Sequence, residues 1–290
     1  MKPFGLAEPE TLKDAIAMLG DADSGVRPIA GGSALMLMMK PGVLQPETLV
    51  SLRKIEPHYS AIEAAADGSL KIGAMTTLRG IELSPEVAKH ALVVTRALRR
   101  LSNVRVRNVA TLGGHLAHGD PHLDLPPVLI ALGAKVHIAG PGGERQIDVE
   151  ELFRSYLETA LEPRELITAV SLPAQGDRRT AYIKHTTRSA DDWPALGLAV
   201  SFAMDGGALN GVRAAIGAAT EIPQRLKSVE TALEGKQLAD ALETACDAAA
   251  SEAQVQSDAQ GSGPYKRELV RVFMGRVIRQ AADHNPGGIN

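Results

Sequence analysis

Apolar positions recur along this chain with two periods, and each change of period marks an expected element. Leu12, Ala15, Ile16 and Leu19 stand at i, i+3, i+4 and i+7 with Gly20 behind them, which predicts an amphipathic helix over residues 9–19. Arg27 to Ser33 reads as a strand running into a glycine-rich turn, and residues 34–40 as a helix stopped by Pro41-Gly42. Strands are expected at 48–52 and 70–74, the second with Leu70, Ile72 and Ala74 on one face. A helix follows at 91–101, where Arg96, Arg99 and Arg100 read as a solvated surface and not as a binding site.

Residues 105–127 break the pattern. A glycine pair, three histidines and two aspartates crowd a polar window between segments that read as ordinary core. A glycine pair permits positive φ and close approach of a ligand to the backbone, so converging N–H groups at Gly113-Gly114 are expected. Pro126-Pro127 then opens an apolar helix to Leu132, closed by Gly133. A strand at 134–139, a turn at 140–143, a helix at 149–158 and a strand at 165–172 complete this half. Beyond the polar break at 174–177, strands are expected at 180–186, 195–204 and 209–218, the last two joined by Asp205-Gly206-Gly207 as a hairpin. Helices follow at 225–234, 237–252 and 264–281, and the tail 285–290 reads as frayed.

A length of 290 residues suggests two or three domains, and 44% apolar with 22% charged residues is the balance of a globular protein. The net charge of −3 offers no broad basic field, so nucleic-acid binding is not expected. No apolar run reaches a membrane span and the first ten residues lack a signal-peptide core, so a cytoplasmic location is expected. Cys246 is the only cysteine, which excludes an internal disulfide and any iron–sulfur cluster held by this chain alone. In its Ala-rich helical run it reads as a buried, inert thiol.

The central window admits three readings. His115, His118, Asp120, His122 and Asp124 are competent metal ligands, but Pro121 breaks any helix that would put His118 and His122 on one face. The histidines could also be unrelated surface residues. The third reading is an anion site. No Gly-x-Ser-x-Gly elbow, Walker loop or Gly-x-Gly-x-x-Gly is present, while Gly31-Gly32 before Ser33 and Gly113-Gly114 near Thr111 suit a pyrophosphate better than a single phosphate. Taken alone, Gly31-Gly32-Ser33 also reads as a plain turn.

Ala30-Gly31-Gly32-Ser33, Thr111-Leu112-Gly113-Gly114-His115 and Asp120-Pro121-His122-Leu123-Asp124-Leu125-Pro126 together resemble the flavin loops of the FAD-binding medium subunit of molybdenum hydroxylases. This is the group of carbon monoxide, xanthine and nicotine dehydrogenases, and the resemblance spans the whole chain. It implies an α+β fold with a two-part FAD-binding domain, a small N-terminal α/β lobe at 1–56 and a larger α+β lobe at 57–176. A C-terminal domain at 177–290, a small antiparallel sheet with three helices, would follow.

Carried onto this sequence, the resemblance puts Ile29, Ala30, Gly31, Gly32 and Ser33 on the first pyrophosphate loop. Thr111, Gly113, Gly114, His115 and His118 take the second, with Asp120 beside it. Asp124 would hold the ribityl hydroxyls and Ile167 the adenine, while Lys184, Asp192 and Trp193 lie in the segments that run beside the isoalloxazine. His115 stands where the family commonly has Asn, and Trp193 where it often has Tyr, Phe or an aliphatic residue.

The resemblance implies FAD as cofactor, with no metal site and no substrate-oxidising residue on this chain. The implied role is electron transfer in a heterohexamer with two copies each of a large molybdenum subunit and a small iron–sulfur subunit, delivering to an external acceptor. A self-sufficient flavin oxidase or dehydrogenase is the alternative enzyme reading, and a flavin-free scaffold of the same fold the alternative of another class.

Overall fold

The computed structural model describes residues 2–20 and 24–283, so the tail expected to fray at 285–290 lies outside the described residues. Three segments each build a sheet and a core. The first holds β1 (Gly5–Ala7), α1 (Leu12–Met18), β2 (Val26–Ile29), α2 (Ser33–Met39) and β3 (Thr48–Ser51), with β3 central and parallel to both neighbours. Thr11 caps α1, and Leu12 and Ala15 bury the stripe read from the sequence against Val50 and Leu52.

The second segment threads β4 (Ile62–Ala64), β5 (Leu70–Gly73), α3 (Leu78–Leu83), α4 (Pro85–His90), α5 (Leu92–Arg99), α6 (Val104–Val109), α7 (Leu112–Ala117) and α8 (Leu125–Leu132). It continues through β6 (Lys135–Gly140), β7 (Gly143–Asp148), β8 (Phe153–Ser155), β9 (Glu158–Thr159) and β10 (Leu166–Leu172). Its five-stranded antiparallel sheet runs β4-β5-β10-β6-β7. Every residue of α8 is buried, packed against α5 and the sheet of the third segment, with Pro126 and Pro127 in the first turn where their missing N–H groups cost nothing.

The third segment is a four-stranded antiparallel sheet of β11 (Arg179–His185), β12 (Leu196–Asp205), β13 (Ala208–Gly217) and β14 (Gln224–Arg225). It is backed by α9 (Lys227–Leu233), α10 (Leu238–Glu252) and α11 (Gly263–Asp283). The Asp205-Gly206-Gly207 hairpin forms as expected, with positive φ at both glycines.

One expected helix fails. The helix at 149–158 is a single 3₁₀ turn, Val149–Glu151, followed by the β8-β9 hairpin. Its start carries a helix-like capping box between Asp148 and Glu151, but Leu157 takes a left-handed φ of 59° and donates its N–H to the Gly119 carbonyl. Tertiary pairing outweighs the local signal. The polar window is also more helical than its composition suggests, since α6 and α7 occupy most of 104–117. Elements of six residues are too short to show a helical period.

α6 is fixed by an inward-facing charge. Arg107 donates to Glu82 at 2.8 Å and to the carbonyls of Leu101 and Ser102, while Arg79 holds the other oxygen of the same buried carboxylate at 2.5 Å. Replacing Arg107 by Ala leaves one Glu82 oxygen and two carbonyls without this donor. We expect a stability loss of about 3 to 5 kcal/mol by urea denaturation, and a loss below about 1 kcal/mol would mean that the pair does not hold α6.

Candidate functional site

A cleft of about 410 Å³ opens between the first two segments, inside the range usual for small-molecule sites. Its walls are the turn from β2 into α2, residues 27–35, and the start of α7 from Thr111 to His118, with Ile167 at one end. Gly32 adopts φ 76° at the start of α2, a conformation costly for residues with a β-carbon. The N-terminus of α2 has no side-chain cap, so its first amides have no partner within the helix.

Gly31 meets a different demand. A β-carbon there would overlap the Val109 carbonyl oxygen, so the first turn rests directly on the backbone that leads into the second. The first turn and the approach to the second are thus in direct contact.

The second pair does not behave as the sequence suggested. Gly113 and Gly114 are helical, not left-handed. Their amides are already used, Gly113 N–H on the Ala74 carbonyl at 2.8 Å and Gly114 N–H on the Thr111 hydroxyl at 3.2 Å. Glycine is needed at 113 because a β-carbon would sit 2.7 Å from that of Ala74, while Gly114 is exposed and faces Ala30 across the cleft. The pair contributes a smooth wall whose amides are engaged, while the first turn starts a helix with no side-chain cap.

His115 and His118 line the same cleft. The His115 Nε2 is buried without a hydrogen-bond partner. Burial, assisted by neighbouring His118, pushes its pKa down to about 3, so the ring is neutral at any physiological pH. Burial also lowers the pKa of His118, opposed by Asp120 at 3.9 Å. An orphaned polar atom in a cleft that also holds an uncapped turn suits a ligand with both anionic and hydrogen-bonding groups.

The remaining expected site residues lie outside this lining. Asp124 is 4% exposed and both its oxygens are engaged, one by the Tyr182 hydroxyl at 2.7 Å and one by Lys184 Nζ at 3.0 Å. Lys184 also donates to the Arg100 carbonyl. Burial raises the pKa of Asp124 against the pull of Lys184, and pushes the Tyr182 hydroxyl well above its usual range. Held on both oxygens, this carboxylate anchors the second segment to the third.

Asp120 accepts the His122 backbone N–H at 2.8 Å and pairs with its Nδ1 at 2.9 Å. The His122 Nε2 faces Asp258 at 3.5 Å, and Asp258 in turn holds the buried Lys266 at 2.6 Å. Trp193 is 58% exposed and stacks on His122, ring centroids 5.8 Å apart, so one indole face is free. Asp192 is exposed and accepts the Ser189 N–H at 3.2 Å. With the Pro121 carbonyl accepting from Ala218 N–H, residues 120–124 latch the cleft wall to the C-terminal segment. Among the described residues, no group of three His, Cys, Asp or Glu side chains converges as metal ligands.

Sequence reasoning missed Arg27, Met38, Leu157 and Glu165, all of which line the cleft. Glu165, two residues before Ile167 and clamped by Arg145 at 2.6 and 2.7 Å, was the one within reach of a sequence signal. Leu157 was hidden by the failed helix assignment.

The latch is pH-dependent. Its hydrogen bond to Asp120 raises the pKa of His122, so the latch contributes fully below the unfolded value of about 6.5 and its contribution is lost as pH rises through the raised value. The thermal midpoint of the wild-type chain should therefore exceed that of His122→Gln at pH 6, with the gap closing by pH 9. A gap that stays constant with pH would remove the charge from the latch.

Comparison with known proteins follows the same two-part division. Residues 2–175 match the family model described as the FAD binding domain in molybdopterin dehydrogenase, and residues 181–281 match the CO dehydrogenase flavoprotein C-terminal domain. The chain is 33% identical to the nicotine 6-hydroxylase medium subunit of Paenarthrobacter nicotinovorans, over 95% of this chain and 96% of that one. It is 30% identical to the carbon monoxide dehydrogenase medium chain of Afipia carboxidovorans, over 96% of each. Among solved structures, carbon monoxide dehydrogenase from Hydrogenophaga pseudoflava superposes with a TM-score of 0.92 at 31% identity, over 97% of this chain and 99% of that one. Quinoline 2-oxidoreductase from Pseudomonas putida gives 0.90 at 29%, over 97% and 98%. This chain belongs to the FAD-binding medium subunits of the molybdenum hydroxylases, the flavoprotein oxidoreductase subunits of that family.

Proposed function

We propose that this chain relays electrons, holding FAD in the cleft between its first two lobes and accepting electrons from the iron–sulfur clusters of a partner subunit. The observation that carries the reading is the buried, unpartnered His115 Nε2 in a cleft lined by both glycine pairs. FAD bound there supplies both one-electron and two-electron chemistry, which the protein tunes by position and field.

In this reading the uncapped amides after Gly31-Gly32 hold the pyrophosphate, and the neutral His115 ring donates or accepts one hydrogen bond beside it. Ile167 packs on the adenine end, and bare Gly114 lets the dinucleotide lie against the backbone. Thr111 caps α7 and so sets that wall. Asp120, Asp124 and Lys184 act at one remove, keeping the 118–124 segment on the C-terminal domain. Asp192 and Trp193 lie on the solvent side of that latch, where the free indole face is available to a ring.

We place the chain with a large molybdenum-cofactor subunit and a small iron–sulfur subunit, two copies of each, in the cytoplasm, with electrons leaving to an external acceptor. The single cysteine supports the division of labour, since the clusters then need another chain. Medium chains or subunits are what the matched relatives are named. Among the described residues, no helix is long and apolar enough to cross a membrane. Domain limits at 1–56, 57–176 and 177–290 are supported by three hydrophobic cores dominated by residues of those three segments.

The purified chain, or the complex carrying it, should show flavin absorption and release FAD on denaturation. Colourless protein that takes up no FAD would favour the scaffold reading, and oxidation of an organic donor by this chain alone would favour a self-sufficient oxidase. At Gly114 an added β-carbon meets the Thr111 hydroxyl at 3.1 Å and no backbone atom, so Gly114→Val should strip flavin while the fold persists. Gly113→Ala should instead lower stability, by about 1 to 3 kcal/mol, because Ala74 cannot give way. Full flavin occupancy in Gly114→Val would place the pyrophosphate elsewhere.

A further inference from the structure

A second cavity, of about 450 Å³, lies at the far end of two strands that also reach the cofactor cleft, and its size is usual for a small-molecule site. β5 brings Leu70 and Lys71 to this cavity and leads into Ala74 and Met75 of the cleft. β10 meets the cleft at Leu166 and Ile167 and the second cavity at Ser171 and Leu172. Ile167 and Ser171 are separated by roughly 13 Å of extended chain, and the two linings share no residue.

The polar side of the cavity is a single row of the sheet. Glu63 is paired with Lys71, Lys71 with Ser171, Ser171 with Lys135 and Lys135 with Asp148 across adjacent antiparallel strands. Directly opposed residues share a face of the sheet, so Ser171 is flanked by two lysines. The carboxylates nearby are mostly committed. Asp67 accepts the Ser69 N–H at 2.9 Å and the Ser69 hydroxyl at 2.7 Å. Asp148 holds Lys135 at 2.8 Å, a half-exposed pair that contributes little and uses one of three ammonium protons. Glu63 lines the cavity itself, which leaves two lining cations against one lining carboxylate. A third cation stands behind the wall, since a β-carbon on Gly133 would lie 3.0 Å from the Arg213 guanidinium.

The Ser171 hydroxyl is held in place from below. Its oxygen lies 3.0 Å from His137 Nε2 and 3.4 Å from Gln146 Nε2. Burial first, and the charge of Lys71 second, hold the His137 pKa below its usual value, so the ring is neutral at pH 7. In the tautomer with its proton on Nε2, both neighbours donate to the Ser171 oxygen, and the hydroxyl proton is left for a further acceptor. The rest of the lining is apolar, with Ala64, Leu70, Leu172 and Pro173. Gln175 braces that end by donating to the carbonyls of Pro173 at 2.7 Å and Leu132 at 3.2 Å.

We propose that this cavity binds a small organic monocarboxylate, with its carboxylate on Ser171 between Lys71 and Lys135 and its apolar body along Leu172 and Pro173. One negative charge balances the lining, whereas a phosphate dianion would also face Glu63. The apolar surface beside the lysines favours a carboxylate that carries a hydrocarbon group over a bare inorganic anion.

The test is equilibrium dialysis of radiolabelled benzoate against the full chain at low salt, with and without saturating FAD. About one equivalent should bind whether or not FAD is present, and added NaCl should weaken it. Lys71→Glu should raise the Kd at least about tenfold, with Lys71→Gln between it and wild type, and Ser171→Ala should raise it about threefold or more. All three should keep the wild-type thermal midpoint. Benzamide, which has the same shape without the charge, should compete at least about tenfold more weakly. Lys236→Glu, exposed on the C-terminal domain, should leave binding unchanged.

A wild-type chain that takes up neither benzoate nor acetate at about 10 mM overturns the proposal. So does an unchanged Kd in Lys71→Glu, or benzamide that competes as well as unlabelled benzoate. Benzoate that FAD displaces belongs to the cofactor cleft, and inorganic phosphate that displaces benzoate better than acetate does makes this a phosphate site. Either result overturns the assignment.

Discussion

The contact on which the rest depends is backbone against backbone. The Val109 carbonyl occupies the place a side chain would take at Gly31, so the first glycine turn cannot be drawn without the end of α6 beneath it. That contact brings the two lobes together beside the cleft. It also explains why two glycine pairs some eighty residues apart act together while doing different work. Gly31-Gly32 gives a tight approach and an uncapped turn, and Gly113-Gly114 gives a flat wall whose amides are already engaged.

Charge is arranged around this contact in layers. Nearest the cleft the ionisable groups are quiet: His115 is neutral, and Glu165 is neutralised by Arg145. One layer out, residues 120–124 carry the interactions that fix the C-terminal domain, with Asp124 between Tyr182 and Lys184, and His122 between Asp120 and Asp258. Outermost are exposed arginines such as Arg99, Arg100 and Arg105. A redox cofactor held this way sits in a fixed local field while the molecule's electrostatic variety is displayed to partners.

Much of this was legible in the sequence, and the failures have physical causes. The Asp-Gly-Gly hairpin, the buried α8 behind two prolines and the long C-terminal helices all follow from local chemistry strong enough to survive any context. Family motifs located the cleft residues from Ile29 to Ser33 and from Thr111 to His118. Short helices such as α6 and α7 had no period to read. Asp124 is a polar residue whose partners, Tyr182 and Lys184, lie some sixty positions away, so sequence could show its chemistry but not whom it serves. For Trp193, exposure with a histidine on one face is a matter of tertiary placement alone.

The most direct test of the central claim is nitrogen-resolved NMR of the histidine rings during titration of the cofactor-free chain with FAD. The account predicts that the His115 ring stays neutral down to pH 5 and that its Nε2 resonance shifts on binding, with His118 responding beside it and His137, outside the cleft lining, unmoved. A His115 ring that titrates near pH 6.5, or FAD binding that leaves it unperturbed, would contradict the placement of the cofactor between the two glycine pairs.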